Sequence, residues 1–317
     1  MKKFLSLVLL ILLFSITGYT KTLNIGITQI VEHPALDACR QGFIDKLKEY
    51  GFEDGKNVKY DIQIAQGNVA TANQIAKNFV GDNKDIIVAI ATPSALAVAN
   101  ATKKIPVIIS AITDPVGAKL VKSLEKPGTN VTGTTDMSPV KEQLSLFKEL
   151  GLDVKNVGII YNAGEANSRS LVNLAKKVAK ELNMNIVEAT VTNSSGVLLA
   201  AKSLVGKVDG IYIPTDNTIV SALESVLQVA FDNKLPVITG DTDSVERGSL
   251  ASLGINYYKL GKQTGEIAYK VINGANPAET PVETLKDLEL FVNLKSAEKM
   301  NIKVPEDFIK KAAKVIK

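Results

Sequence analysis

The sequence has 317 residues, of which 45% are hydrophobic and 22% charged, and 37 basic against 33 acidic side chains leave a net charge of +4. That length suits two globular domains of ordinary size better than one core. A single His (His33), a single Cys (Cys39) and no Trp exclude an intrachain disulfide, a Cys-rich zinc site and a multi-His metal centre, and no Lys/Arg block is present to track a nucleic-acid backbone.

Met1-Lys2-Lys3 is a short basic start, and the run from Phe4 to Ile16 is apolar except for Ser6 and Ser15 before the small and polar Thr17-Gly18-Tyr19-Thr20. This predicts a secretory signal peptide over 1–20. The apolar run is too short for the roughly 20 residues that span a bilayer. No Cys follows it directly, so a lipid anchor is not expected, and the mature chain, at about +2, is expected to be free and monomeric in the periplasm.

From Lys21 the pattern alternates short β-branched runs with amphipathic stretches, which predicts βα units on parallel sheets, an α/β fold. The expected elements are a strand over 23–28, a helix over 35–49 with Leu36, Cys39, Phe43 and Leu47 on one stripe, and a strand over 58–64. A helix over 70–80 and strands over 85–91 and 104–109 follow. The order then recurs: a strand over 156–161, a helix marked by Leu171, Leu174, Val178 and Leu182, a strand over 185–191, a helix near 195–205 and a strand over 210–213. The segment from Asp85 to Ile108 has its counterpart in Asp209 to Ile238, each ending in Lys, an apolar residue, Pro and Val, so two lobes of one topology are predicted. Interruptions of the repeat at 132–138, 251–256 and 274–281 mark three hinge segments. Lobe 1 is expected over 21–135 and 255–276, and lobe 2 over 136–254 and 277–317.

Open α/β sheets bind ligands where strand carboxyl ends lead into helix N-termini. In the first half those loops hold Gln29, Glu32, His33, Thr92, Pro93, Ser94, Thr113 and Asp114. In the second they hold Asn162, Glu165, Asn167, Ser168, Asp216, Asn217 and Asp241. Singly, Asp, Asn, Ser and Thr at such places are helix caps. Pooled, they make a cleft suited to a small zwitterion, with helix N–H groups for a carboxylate and side-chain carboxylates for an ammonium. The acid that receives the ammonium is Asp216 or Asp241, or else Asp114 or Glu32.

Other motifs fail on spacing. Gly261-Lys262-Gln263-Thr264 lacks the Ser or Thr directly after Lys that a phosphate loop requires, and there is no GxGxxG or GxSxG. No cofactor is expected. His33 and Cys39 lie six residues apart, but Cys39 falls on the apolar helix stripe, so a catalytic dyad is not expected and the chain is read as a non-enzyme. The three Asn-x-Ser/Thr sites at Asn100, Asn130 and Asn193 read as caps and turns.

Six separated segments resemble an ABC-transporter substrate-binding family, the one that includes the tryptophan- and tyrosine-type binding proteins. They are Gln29 to Asp37, Ile90 to Ala95, Ala111 to Val116, Tyr161 to Ser168, Pro214 to Asn217 and Gly240 to Val245. The resemblance implies a type I periplasmic-binding fold with a ligand between two lobes, an amino acid of aromatic or large hydrophobic kind, and a membrane permease with its cytoplasmic ATPase as partners. It places an α-carboxylate at Thr92 and Ser94, with Asn167 and Ser168 closing from the other lobe. A sensor subunit for a membrane receptor, or a nucleoside or sugar ligand, is the alternative.

Overall fold

The computed structural model describes residues 22–285 and 287–317. The leader expected over 1–20 lies outside them. The first lobe runs β1 (Leu23–Gln29), α1 (Pro34–Glu49), β2 (Val58–Ile64), α2 (Val69–Gly81), β3 (Ile86–Ile90), α3 (Thr92–Ala101), β4 (Val107–Ile112) and β5 (Val131–Thr135). The second runs α4 (Val140–Glu149), β6 (Asn156–Asn162), α5 (Ala166–Glu181), β7 (Asn185–Val191), α6 (Val197–Leu204), β8 (Gly210–Ile213), α7 (Asn217–Ser221), α8 (Leu223–Asp232), β9 (Val237–Thr239), α9 (Asp243–Arg247) and β10 (Ala251–Ile255). The chain then returns through α10 (Tyr257–Ile272) and β11 (Glu283–Thr284) to the first lobe. It ends in the second with β12 (Leu288–Asn293), α11 (Leu294–Lys299), α12 (Glu306–Lys311) and β13 (Lys314–Ile316).

The sheets are ordered β11-β5-β4-β3-β1-β2 and β13-β12-β10-β9-β8-β6-β7. In each, the first five strands of the lobe stand in the order 2-1-3-4-5, so the repeat read from the sequence is a repeat of topology. β3 and β4 are buried along their whole length, as parallel strands covered by helices on both faces must be. Each lobe has its own apolar cluster, around Phe43, Phe79 and Ile108 in one and Phe147, Tyr212 and Ile238 in the other. Two cores make the lobes separate domains.

The strand expected over 104–109 starts later, at Val107, and its counterpart in the second lobe starts at Val237. Pro106 and Pro236 have no N–H for the ladder, and only their carbonyls join it, accepting from Ile87 and Ile211. Two of the expected hinge segments turn out to contain strands, since 131–135 and 251–255 are the fifth strands of their sheets. The lobe boundary expected at 276/277 also moves. β11 pairs with β5, the Val282 amide donates to the Leu124 carbonyl and the Thr132 hydroxyl to the Thr280 carbonyl, so 277–284 belongs to the first lobe. Ile255, expected in lobe 1, ends β10 in the second sheet. The chain therefore crosses at 136–139, at 256 and after β11, and after the last crossing β12 lies antiparallel to β10 and carries β13 parallel to itself.

One packing contact sets the geometry of the cleft. α1 and α10 lie against each other through glycines: a Cβ on Gly42 would sit 2.1 Å from the Tyr258 carbonyl oxygen, and one on Gly261 2.0 Å from that of Cys39. Only hydrogen fits there. The close approach brings the start of α1, capped by His33, beside the start of α10, occupied by Tyr257.

Candidate functional site

Strand carboxyl ends of both lobes face each other across one cavity. The first lobe contributes His33, Ala35 and Leu36 from the start of α1, Ala111 and Thr113 from the end of β4, and Tyr257 from the start of α10. The second contributes Asn167 at the start of α5, Thr215, Asp216, Asn217 and Val220 around α7, and Asp241 after β9; Asp136 enters from the first crossing. Two residues that carry a Cβ, Ala91 (φ 72°) and Ala111 (φ 56°), hold left-handed backbone at the ends of β3 and β4. Such strain persists only where surrounding structure enforces it, and here it turns the chain into the cleft.

The wall is acidic. Asp136 accepts from the Thr113 hydroxyl at 3.2 Å and the Tyr257 hydroxyl at 2.6 Å. Asp241 accepts from the Ser244 amide at 2.8 Å and its hydroxyl at 2.7 Å. Asp216 caps α7 through Ile219 and also accepts from the Asn162 amide and the Ser168 hydroxyl, both at 2.6 Å. Among the described residues no Lys or Arg lines the cavity. Arg247 stands behind the wall, spent on Glu224 and the Val220 carbonyl. Burial therefore pushes the carboxyls of Asp136 and Asp241 above their usual range, and burial with the neighbouring Glu165 pushes Asp216 up to about 7. His33 moves the other way, down to about 3, because burial and then Arg247 disfavour its cation, partly offset by Asn217.

Five buried polar atoms in and around this cavity have no hydrogen-bond partner: His33 Nε2, Thr92 Oγ1, Ser94 Oγ, Asn167 Oδ1 and Thr215 Oγ1. They come from both lobes. An unpaired buried polar atom costs about 1–3 kcal/mol. Three of their residues, His33, Asn167 and Thr215, line the cavity and Thr92 lines the pocket beside it, the outline of something that pairs with them.

Of the residues expected from the sequence, His33, Thr113, Asn167, Asp216, Asn217 and Asp241 line the cavity. Thr92 and Asp114 line an adjoining pocket at its mouth, shared with Asn167, where the Ser170 hydroxyl donates across the lobes to Asp114 at 3.3 Å. Pro93, Asn162 and Glu165 line a groove outside it. The other face of Glu165 accepts from the side-chain amides of Asn217 and the cavity-lining Asn167, from the Thr218 hydroxyl and from the backbone amides of Asn217 and Thr218. Ser94 and Ser168 are fully buried behind the surface. Two residues do not reach the cleft wall. The Gln29 amide is consumed by Asp37, Arg40 and the Val31 carbonyl, and Glu32 is exposed beside Gln66. Cys39 is wholly buried and bonded to Ser110, with its thiol pushed up to about 12, so it forms no pair with His33. The sequence reading missed Asp136 and Tyr257, which lie at crossings and outside the βα repeat.

The family model described as "ABC transporter substrate binding protein" matches residues 24–316. The tyrosine-binding protein of Clostridioides difficile (strain R20291) is 48% identical over 277 residues, 87% of this chain and 80% of that protein. The crystal structure of an ABC domain in complex with L-Trp from Streptococcus pneumonia is 38% identical, with a TM-score of 0.90 over 93% of this chain and all of that one. A ligand-free, open substrate binding protein with adhesive properties from Clostridium difficile is 45% identical, yet its TM-score is 0.70 over 93% of this chain and 99% of that one. The more identical structure fits less well, so the lobes stand here closer to the arrangement in the L-Trp complex than to the open one. The chain belongs to the ABC transporter substrate-binding protein family and has the type I periplasmic-binding fold.

Proposed function

We propose that this chain is the extracytoplasmic receptor of an ABC importer, capturing an aromatic or large hydrophobic amino acid between its lobes and presenting it to a membrane permease driven by a cytoplasmic ATPase. The observation that carries the reading is the cavity itself: buried orphan donors and acceptors from both lobes around an acidic, cation-free wall. That wall complements a zwitterion. The N-terminus of α3, a ten-residue helix, offers free amides and the unpaired hydroxyls of Thr92 and Ser94 to an α-carboxylate. Asn167 borders both the mouth pocket with Thr92 and the inner cavity with Asp216, so a carboxylate held at α3 leaves its ammonium beside Asn167, Thr215 and Asp216. The side chain then runs inward toward Leu36, Tyr257 and Asp136.

Binding couples to closure because neither half of this set binds alone. Ligand bridging α3 to Asn167 and Asp216 favours the closed form over the open one, and the closed form is what the permease reads. The basic and apolar leader supports periplasmic delivery. The cavity supplies positioning groups and the neutral imidazole of His33, while the Cys39 thiol is inert and buried away from it, which supports binding without catalysis.

A thermal-shift screen of the twenty amino acids, nucleosides and sugars tests the reading. At one hundred times Kd a true ligand stabilises by about 2.7 kcal/mol. A shift with tyrosine, tryptophan or another large amino acid supports it. A screen in which only a sugar or nucleoside shifts the transition refutes it.

A further inference from the structure

Glu165 occupies the N-cap position of α5, where a short Asp, Ser or Thr would bind the helix's own amides, yet its side chain makes no such cap. It reaches instead to α7 in the same lobe. There Oε1 accepts from the Thr218 amide at 3.2 Å and from its hydroxyl at 2.8 Å, and Oε2 accepts from the Asn217 amide at 3.3 Å. Two further donors reach Oε2, the side-chain nitrogen of Asn217 and, at 3.2 Å, that of Asn167. Capping α7 needs the backbone bonds alone. The two side-chain bonds go to residues that line the cavity, whereas Glu165 itself borders the groove outside it.

An ionised carboxylate accepts and cannot donate, so each asparagine must turn its nitrogen to Glu165 and its oxygen away. For Asn167 the Thr215 carbonyl takes a second hydrogen at 3.1 Å, and Oδ1 is left buried without a partner. For Asn217 the oxygen is the atom that meets the His33 imidazole from the opposite lobe, whose cation it favours. Asp216 lines the same wall. Resting on the amino-acid reading above, we infer that Glu165 is a positioning residue: from outside the cavity it turns both asparagine amides oxygen-inward, adding two acceptors beside Asp216, so that the cleft selects a ligand with an ammonium group.

The test is calorimetric titration of the mature protein with L-tyrosine, L-tryptophan and L-leucine, and with the same three acids lacking the α-amino group. Glu165→Gln keeps the size of the side chain and sets an NH2 among donors, and an asparagine amide that reverses to accept it shows the cleft a donor. The preference for the amino acid over its des-amino counterpart is expected to fall about tenfold or more in that variant. Loss of the Glu165 charge, or of the α7 cap, acts whether or not the asparagines are present. In an Asn167→Ala/Asn217→Ala background the same substitution is therefore expected to change the preference by less than about threefold. Equal loss for both members of each pair, or an undiminished effect in that background, overturns the inference and leaves the amino-acid reading standing. If Glu165→Gln does not fold, Asn167→Ala tests the inward oxygen by itself, and an unchanged preference there overturns the inference. Binding of none of the twenty amino acids overturns both.

Discussion

Ser94→Ala separates a ligand contact from a structural hydroxyl, because the two roles predict opposite signs. Ser94 is fully buried at the start of α3 and its Oγ has no partner. Removing an orphan hydroxyl relieves a cost of about 1–3 kcal/mol in the closed form and none in an open form that wets it. The unliganded variant is therefore expected to melt at or slightly above the parent. The ligand complex loses a hydrogen bond to a charged carboxylate, worth about 1.5–3 kcal/mol, which raises Kd by roughly 10- to 150-fold. At a ligand concentration of one hundred times the parental Kd, stabilisation falls from about 2.7 kcal/mol to about 0.4–1.4 kcal/mol for a ten- to hundredfold loss. With about 2–4 °C per kcal/mol for domains of this size, the ligand shift drops from roughly 5–10 °C to 1–5 °C. Differential scanning fluorimetry with and without ligand reads both quantities. A variant that melts several degrees lower without ligand and keeps the full ligand shift would refute the assignment.

The remaining predictions concern charge, packing and reactivity. Asp216 has its folded value raised from 3.8 to about 7, so the stability it confers is fully present below about pH 4 and is lost as pH rises to about 7. His33, lowered from 6.5 to about 3, contributes the opposite sign, stability present above 6.5 and lost as pH falls toward 3. A ligand ammonium beside Asp216 favours its ionised form, so stabilisation by ligand should grow between pH 5 and 8, and a ligand shift that shrinks over that range contradicts the ammonium site. Gly42→Ala must push α10 from α1 and is expected to cost about 1–3 kcal/mol, seen as a lowered melting point. It should also weaken ligand, since Tyr257 and His33 move with those helices; calorimetry showing unchanged affinity would detach the helix contact from the site. Cys39 should not react with a thiol reagent at pH 8 in the native protein and should react fully in denaturant, which an absorbance assay follows.

The repeat was legible because parallel strands buried on both faces need continuous β-branched runs. Ile86–Ile90 and Val107–Ile112 announce themselves that way, and their counterparts Gly210–Ile213 and Val237–Thr239 do so in the same order. The fifth strand of each sheet was not legible as a strand. Val131–Thr135 reads VTGTT and Ala251–Ile255 reads ASLGI, small and polar runs that resemble linkers. The first is buried all the same, because Thr132 and Thr134 satisfy their hydroxyls internally, on the Thr280 carbonyl and on Ser110 and Thr264. A buried polar strand is visible only once its partners are known.

The same blind spot hid part of the site. A rule that collects the loops after strands finds His33, Thr113, Asn167, Asp216, Asn217 and Asp241, since each lies between a strand and a helix of the repeat. Asp136 and Tyr257 follow the fifth strands, where the chain leaves one lobe for the other, and the repeat has no slot for them. The geometry nonetheless requires that such positions face the ligand. Crossings form the floor of the cleft, and whatever fills the space between the lobes rests on that floor. Here the floor is tied together, with the Tyr257 hydroxyl on Asp136 at 2.6 Å joining the second crossing to the first, and Thr113 joining both to β4. The residues just past the last strand of each lobe therefore belong in any search for the site of a two-lobed binder, even where composition marks them as linker.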